Sequence, residues 1–112
     1  MELKDRHVAV IGLGESGLAM ARWAAFKGAR VTVLDDRAQP PQRAALASTC
    51  PQARFVHGRF ALDALEAPPD LIAWSPGLSP LLGAAASLHR EATEAGIPIF
   101  GELDFFAAEL AA

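Results

Sequence analysis

A glycine-rich stretch near the amino terminus constrains the fold of this chain more than any other feature. The apolar segment Val8–Ile11 runs directly into Gly12-Leu13-Gly14-Glu15-Ser16-Gly17, after which a helical pattern begins. Gly12 permits a tight turn, Gly14 presents no Cβ to a pyrophosphate, and Gly17 lets the helix approach the strand. The backbone N–H groups and the positive end of the helix then face an anion. The stretch therefore predicts a phosphate site, with a turn whose glycines serve packing alone as the alternative.

Length and composition favour one domain with a real core. The chain has 112 residues, of which 52% are hydrophobic, and a net charge of -3, which argues against a nucleic-acid partner. No apolar run approaches the roughly 20 residues that span a bilayer, and Glu2 and Asp5 argue against a signal peptide. The single cysteine, Cys50, fits a reducing compartment. We therefore expect a cytoplasmic protein without a membrane or nucleic-acid partner.

The hydrophobic pattern predicts five strands that alternate with helices. The predicted strands are His7–Ile11, Val31–Leu34, Arg54–His57, Asp70–Trp74 and Ile97–Phe100. The predicted helices are Gly17–Lys27, Gln42–Ser48, Ala84–Ala95 and Gly101–Leu110, the last with Leu103, Phe106 and Leu110 on one face, while Gly58–Pro69 is ambiguous. Right-handed crossovers predict an α/β fold, a Rossmann-like three-layer sandwich whose five-stranded parallel sheet has the order 3-2-1-4-5. Pro98 suggests that the last strand lies at an edge of the sheet.

Three turns are expected to meet at the carboxyl edge of this sheet: Gly12–Gly17, Asp35–Arg37 and Ser75–Gly77. Asp35 follows Gly17 by eighteen positions, where such folds place an acid that contacts a ribose or a base. The two acids can accept hydrogen bonds from a ribose or from a uracil N–H, and Arg37 can pair with a phosphate or with one of the acids. Together the turns predict a nucleotide cleft, solvated turn acids being the alternative.

Catalytic and metal-binding patterns are absent from the sequence. Ser75 lacks a G-x-S-x-G context and a base partner, and His7, His57 and His89 lack ligand spacing. No G-x-x-x-x-G-K-[ST] motif occurs, so an ATP-binding P-loop is not expected. We therefore predict no catalytic residue, no metal and no cofactor in this domain.

Taken together, the motifs resemble the N-terminal domains of the Mur ligases of peptidoglycan synthesis, in the branch that adds D-glutamate. The matching stretches are Val10–Leu18, Leu34–Arg37 with Pro40-Pro41, Ser75–Gly77, Ala95–Ile99 and Gly101–Leu103. They follow the same order and cover nearly the whole chain. Ligases for other amino acids typically carry a G-x-G-G-x-G-M type of turn, which Gly12-Leu13-Gly14-Glu15 does not fit.

The resemblance implies that residues 1–112 form a single Rossmann-like domain that binds the UDP moiety of UDP-N-acetylmuramoyl-L-alanine. It implies that the full-length enzyme adds D-glutamate with ATP and Mg²⁺. The central ATPase domain, which would be a partner of this domain, and the C-terminal domain are then absent from this chain. The isolated domain is accordingly expected to be inactive.

The resemblance also implies which residues bind the substrate: Gly14, Glu15, Ser16, Gly17, Asp35, Asp36, Arg37, Ser75, Pro76 and Gly77. By this resemblance, Ser16 and Gly17 lie at the diphosphate, Asp35 and Asp36 at the uracil with Arg37 beside them, and Ser75–Gly77 line the cleft. Glu15 lowers affinity for a phosphate unless it points to solvent or pairs with Arg37 or a lysine. Asp36 stands where the family also has a hydroxyl residue, so its contact is made either by its carboxylate or by its backbone N–H.

Two other interpretations remain open. The chain could be the NAD-binding domain of an oxidoreductase or redox sensor, with Asp35 on the adenosine ribose. It could also be a structural domain that contacts only partner domains. Whether the ligand is UDP or NAD, Asp35 and Asp36 are expected on a loop at the solvent edge, outside the core.

Overall fold

A parallel β-sheet forms the middle layer of the molecule in the computed structural model, which describes residues 1–111. Its strands are β1 (His7–Ile11), β2 (Arg30–Asp35), β3 (Arg54–His57), β4 (Leu71–Trp74) and β5 (Ile99–Gly101). They are ordered β3-β2-β1-β4-β5, and every neighbouring pair is parallel. The predicted fold class and strand order are therefore confirmed.

Within residues 1–111, four α-helices and one turn of 3₁₀ helix cover the two faces of the sheet. The α-helices are α1 (Glu15–Phe26), α2 (Arg43–Thr49), α3 (Ala86–Glu94) and α4 (Glu102–Ala111), and the 3₁₀ turn is Leu62–Ala64. Because successive side chains of a strand point to opposite faces, β1 contributes side chains to the hydrophobic core on each face of the sheet. Val8 and Val10 pack with residues of α1, α2 and α4, whereas Ala9 and Ile11 pack with residues of α3 and the segment before it. The result is the predicted three-layer sandwich.

Strands β1 and β3 have the predicted bounds, and most other elements differ from theirs by one or two residues at an end. Two of these differences have local reasons. Helix α1 begins at Glu15 instead of Gly17, with Gly14 as its N-cap residue, so the helix starts inside the glycine motif. Strand β5 begins at Ile99 instead of Ile97, after a proline that cannot donate to the ladder. Strand β5 does lie at an edge of the sheet, as Pro98 suggested. The ambiguous segment Gly58–Pro69 contains the 3₁₀ turn and otherwise bends across the sheet.

Helix α4 presents a different face to the core from the one its leucines suggest. Phe105 is fully buried and Glu109 is 8% exposed, whereas Leu103 and Leu110 are 86% and 85% exposed. The Trp23 Nε1–H group donates to Glu109 Oε1 at 2.9 Å, which allows this carboxylate to face α1. Of the predicted face of Leu103, Phe106 and Leu110, the two leucines are therefore directed to solvent, whereas Phe106 is half-buried against the core.

Within residues 1–111, no helix combines the length and the apolar character needed to cross a membrane.

Candidate functional site

A cleft of about 420 Å³ opens at the carboxyl edge of the sheet, where the turns after β1, β2 and β4 meet. All ten residues predicted to bind substrate line it, together with three others. The lining residues are Gly12, Gly14, Glu15, Ser16, Gly17, Asp35, Asp36, Arg37, Phe60, Ser75, Pro76, Gly77 and Leu78. The predicted convergence of three turns is therefore present, and the binding role of these residues stays a prediction.

The glycine turn is held by close backbone contacts. Gly12 has φ +89°, which favours glycine, and its N–H donates to Leu34 O at 2.8 Å. A Cβ on Gly17 would lie 2.0 Å from Gly12 O, so α1 can follow β1 this closely only with glycine at that position. By contrast, a Cβ on Gly14 would meet no atom of the described residues within 4 Å. Gly17 thus serves packing, while the space beside Gly14 is open to a ligand.

Ser75 ties the turn after β4 to the glycine turn. Its Oγ–H donates to Gly12 O at 2.8 Å, and the residue is 7% exposed. Leu78 N–H donates to Ser75 O at 3.1 Å, which closes the predicted sharp turn, and the Trp74 indole N–H donates to Leu78 O at 2.8 Å. The Ser75 hydroxyl proton is therefore used inside the protein, while Pro76 and Gly77 are exposed at the cleft.

Asp35 is buried at the floor of the cleft, with 1% of the residue exposed. Its Oδ2 accepts from Leu13 N–H at 2.8 Å and from Arg37 Nη2 at 2.8 Å, and its Oδ1 accepts from the backbone N–H and Nε of Arg37, both at 2.9 Å. The expectation that Asp35 lies on a solvent-edged loop outside the core is wrong. The carboxylate is the last side chain of β2 and is directed inward to join two turns.

The hydrogen bonds between Asp35 and Arg37 determine the ionisation of both groups. Burial favours the neutral carboxyl, but the hydrogen bonds from Arg37 and Leu13 and the Arg37 charge outweigh it, so the pKa of Asp35 is lowered. The same contacts raise the pKa of Arg37, since Asp35 accepts its hydrogen bonds and opposes its charge. Both groups are consequently charged at neutral pH, and the cleft contains a fixed ion pair.

Two further acids of the cleft, Glu15 and Asp36, are exposed. For Asp36 this agrees with the expectation that it lies on a loop at the solvent edge. Arg37 pairs with Asp35, and neither Glu15 nor Asp36 forms a salt bridge among the residues that the structure describes. Glu15 lies in the first turn of α1, where an acid stabilises the helix dipole but repels a bound phosphate. The sequence allowed Glu15 either to point to solvent or to pair with Arg37 or a lysine, and the structure shows the side chain in solvent.

Phe60 and Leu78 form an apolar part of the cleft that the sequence did not reveal. Phe60 is 3% exposed and packs with residues of β1, β2 and β4, and Leu78 contacts the same core. Phe60 lies in the segment whose pattern was ambiguous, and Leu78 directly follows Ser75-Pro76-Gly77. Leu78 could have been predicted as a cleft residue, because it follows a turn at the ligand edge of the sheet. No feature of the sequence pointed to Phe60.

The three histidines lie apart, and residues 1–111 contain no group of three or more His, Cys, Asp or Glu that could hold a metal ion. His7 is buried at the start of β1, where its Nε2 lies 2.9 Å from Thr32 Oγ1 and its Nδ1 lies 3.2 Å from Pro68 O. These contacts satisfy the ring within the core. His89 packs edge-on against Trp74.

Comparison with known families gives a match over most of the chain. The model described as "Mur ligase MurD-like, N-terminal domain" matches residues 6–101. The match contains all three turns of the cleft and ends where β5 ends.

Sequence relatives agree with this match. The chain is 50% identical over 105 residues to a UDP-N-acetylmuramoylalanine–D-glutamate ligase of Burkholderia mallei, which is 94% of this chain and 21% of the relative. It is likewise 50% identical over 103 residues to the enzyme of the same name from Burkholderia thailandensis, covering 92% of this chain and 20% of that protein. The chain thus spans about a fifth of the length of the curated relatives it matches.

Solved structures resemble the chain in fold. Shikimate dehydrogenase from Aquifex aeolicus superposes with a TM-score of 0.60 at 15% identity, over 94% of this chain and 45% of that one. N5-carboxyaminoimidazole synthetase from Staphylococcus aureus gives a TM-score of 0.58 at 23% identity, over 88% of this chain and 25% of that one. At these identities the likeness concerns the Rossmann-like architecture alone.

Proposed function

The chain belongs to the MurD-like family of Mur ligase N-terminal domains, and we propose that it binds the UDP moiety of UDP-N-acetylmuramoyl-L-alanine. In this proposal residues 1–112 act as one substrate-binding domain of an ATP-dependent ligase. The full enzyme adds D-glutamate during cytoplasmic synthesis of the peptidoglycan precursor. The name of the relatives that are 50% identical supports the ligase role.

One observation supports the proposal most: the glycine turn, the Asp35–Arg37 turn and the Ser75–Gly77 turn line a single cleft. The first N–H groups of an α-helix lack partners within the helix, and the space beside Gly14, the N-cap residue of α1, is open, which suits a diphosphate. Asp36 and Arg37 lie on the neighbouring turn, at a place where a base could lie beside them. Phe60 and Leu78 add apolar surface for the nucleoside.

Under this proposal the chain binds and orients substrate and carries out no chemical step. The site requires neither a metal nor a cofactor of its own. ATP and Mg²⁺ serve the acyl-activating step of the full-length enzyme, in the central ATPase domain, which is also the proposed partner of this domain. Affinity of the isolated chain for UDP is expected to be weak, on the order of 0.1 mM or poorer, because contacts from other domains are missing.

The proposal is tested by amide NMR titration of the 112-residue chain with UDP. Saturable shifts are expected at Gly14–Leu18 and at Asp35–Arg37, since these backbone groups line the cleft. NADH is titrated in parallel, because the fold also occurs in dehydrogenases. Shifts with NADH and none with UDP would contradict the proposal. A contact of Asp35 with an adenosine ribose is disfavoured, since its carboxylate already accepts from four donors.

Base selectivity is tested by comparing UDP with CDP. Uracil presents an N–H where cytosine presents an acceptor, so a cleft that contacts the base through an acceptor should prefer UDP. Asp36→Asn is the informative variant, because its exposed carboxylate is free to approach a ligand. Loss of the preference in this variant would assign the contact to the Asp36 side chain, and an unchanged preference would exclude that side chain from it. Equal binding of UDP and CDP by the wild type would exclude base recognition.

A further inference from the structure

We propose that Asp35 is a positioning residue, which holds Arg37 and the glycine turn in one arrangement so that Arg37 contacts the ligand and Asp35 does not. This inference rests on the proposed function, because it concerns how the cleft binds a uridine nucleotide. It differs from the expectation in the sequence analysis that Asp35 itself contacts the uracil base.

The Asp35 carboxylate has no acceptor site left for a ligand. An ionised carboxylate offers about four lone-pair sites, and four N–H donors of Leu13 and Arg37 lie at 2.8 to 2.9 Å from its two oxygens. The residue is also 1% exposed. A base N–H could reach it only by displacing one of these donors, and displacing the Leu13 N–H would leave a buried donor unpaired.

The same four bonds connect two turns that are distant in the sequence. Leu13 lies in the glycine turn, and its N–H is bound to a carboxylate 22 positions away. Arg37 lies in the turn after β2, and its backbone and side chain are both bound. Asp35 thereby determines how far the phosphate side of the cleft lies from its base side.

Arg37 is the member of the pair that can reach a ligand. Its side chain is 53% exposed, and it lines the cleft. The bidentate contact uses Nε–H and one Nη2–H, which leaves three of the five guanidinium N–H donors and the planar face outside this pair. Because two parallel hydrogen bonds fix the plane of the group, its orientation in the cleft follows from Asp35.

A double-mutant cycle tests whether the two residues act as one unit. Wild type, Asp35→Asn, Arg37→Gln and the double variant are titrated with UDP, with thermal melts to confirm folding. Each single change is expected to weaken binding about tenfold, and the double variant should bind no more weakly than Asp35→Asn alone. Independent ligand contacts by both residues would instead give about a hundredfold loss in the double variant, which would overturn the proposal.

A spectroscopic signature separates positioning from a general structural effect. In Asp35→Asn without ligand, the resonances of Arg37 Nε–H and of the Leu13 amide should shift, since both protons bind the carboxylate. Glu94→Gln is the control, because it removes the same charge from an exposed residue at the end of α3 and should leave both resonances and UDP affinity unchanged. Unchanged Arg37 and Leu13 resonances in Asp35→Asn would overturn the proposal.

Arg37→Lys decides the question if Asp35→Asn does not fold. Lysine keeps the positive charge but cannot form the bidentate contact, so binding of UDP should fall about as much as in Arg37→Gln. Wild-type affinity in Arg37→Lys would show that charge alone suffices and would overturn the proposal. Absence of UDP binding by the wild type would overturn the proposed function and this inference together, whereas independent effects in the cycle would overturn the inference alone.

Discussion

The charge on Asp35 stabilises the folded chain as well as shaping its cleft. Because the folded-state pKa is lowered below the unfolded value of about 3.9, ionisation favours folding. This contribution is fully present above the unfolded pKa and is lost as the pH falls through the folded pKa. Removing a buried carboxylate with charge-assisted hydrogen bonds costs about 1.5 to 3 kcal/mol.

We therefore expect Asp35→Asn to lower the free energy of unfolding by about 1.5 to 3 kcal/mol at pH 7, and the difference from wild type to shrink below about pH 4. Urea unfolding of both proteins between pH 7 and pH 3 measures this difference. Asp36→Asn, an exposed neighbour, is the matched control and should change stability by less than about 0.5 kcal/mol. A difference between wild type and Asp35→Asn that does not vary with pH would contradict this account.

Glu15 opposes the ligand that the cleft is proposed to bind. Its carboxylate is exposed in the first turn of α1, on the same turn as the proposed diphosphate contacts. Glu15→Gln should raise UDP affinity about two- to fivefold at low salt, since a like charge at several ångströms in water amounts to less than about 1 kcal/mol. Isothermal titration at two salt concentrations measures the change. A loss of affinity in Glu15→Gln would mean that the acid itself contributes to binding.

At the scale of elements, two glycines of one motif have separable roles. Gly17→Ala would place a Cβ 2.0 Å from Gly12 O, so α1 would have to move away from β1. We expect this change to cost about 2 kcal/mol or more of stability. Gly14→Ala meets free space and changes an N-cap, so its effect on stability should stay below about 1 kcal/mol, while UDP binding weakens.

Thermal melts together with UDP titrations of the two glycine variants measure both effects. The pair acts as its own control, since each variant adds one methyl group to the same turn. A stable Gly17→Ala protein would show that the close approach of helix and strand is not required.

Helix α4 offers a second matched pair. Phe105 is fully buried, so Phe105→Ala should destabilise the chain by about 3 to 5 kcal/mol. Leu103 is 86% exposed, so Leu103→Ala should change stability by less than about 0.5 kcal/mol. Urea unfolding of the two variants measures the contrast. Similar losses in both would mean that the leucine face is buried in solution.

Sequence patterns predicted the strands better than the helix faces, for a physical reason. Continuous apolar runs such as Val8–Ile11 identify strands covered on both sides, and crossover handedness then leaves few possible orders. In α4 the spacing of Leu103, Phe106 and Leu110 is helical, but the buried residues are Phe105 and Glu109, with Phe106 only half-buried beside them. Trp23 of α1 donates to one oxygen of this glutamate, a contact that the α4 sequence does not reveal.

At the scale of the whole molecule, the place of the cleft was predictable, and so was pairing of Arg37 with one of the two acids, but the burial of Asp35 was not. The strand order brings the turns after β1, β2 and β4 to one edge, so the lining residues of these turns could be named from the sequence, whereas Phe60 and Leu78 were not. The burial of Asp35 depends on the orientation of Leu13 N–H and on the fold of Arg37 back onto β2. Both depend on tertiary geometry, which spacing alone does not encode.

Under the proposed function this domain only binds substrate, so we expect the 112-residue chain to be inactive by itself. It lacks a P-loop motif in its sequence, and the Ser75 hydroxyl is bound to Gly12 O. Phosphate release from ATP, and formation of a D-glutamyl product from UDP-N-acetylmuramoyl-L-alanine, should not exceed the buffer rate. Turnover that Arg37→Gln abolishes would assign catalysis to this chain and contradict the proposed division of labour.

The junction between β1 and β4 is closed at both ends by backbone and side-chain hydrogen bonds. At one end His7 N–H donates to Asp70 Oδ2 and Asp70 N–H donates to His7 O, both at 2.8 Å. At the other, Ser75 N–H donates to Ile11 O at 3.1 Å and its hydroxyl donates to Gly12 O at 2.8 Å. Because the walls of the cleft come from both sides of this junction, a bound nucleotide should slow amide hydrogen exchange in β1 and β4 together.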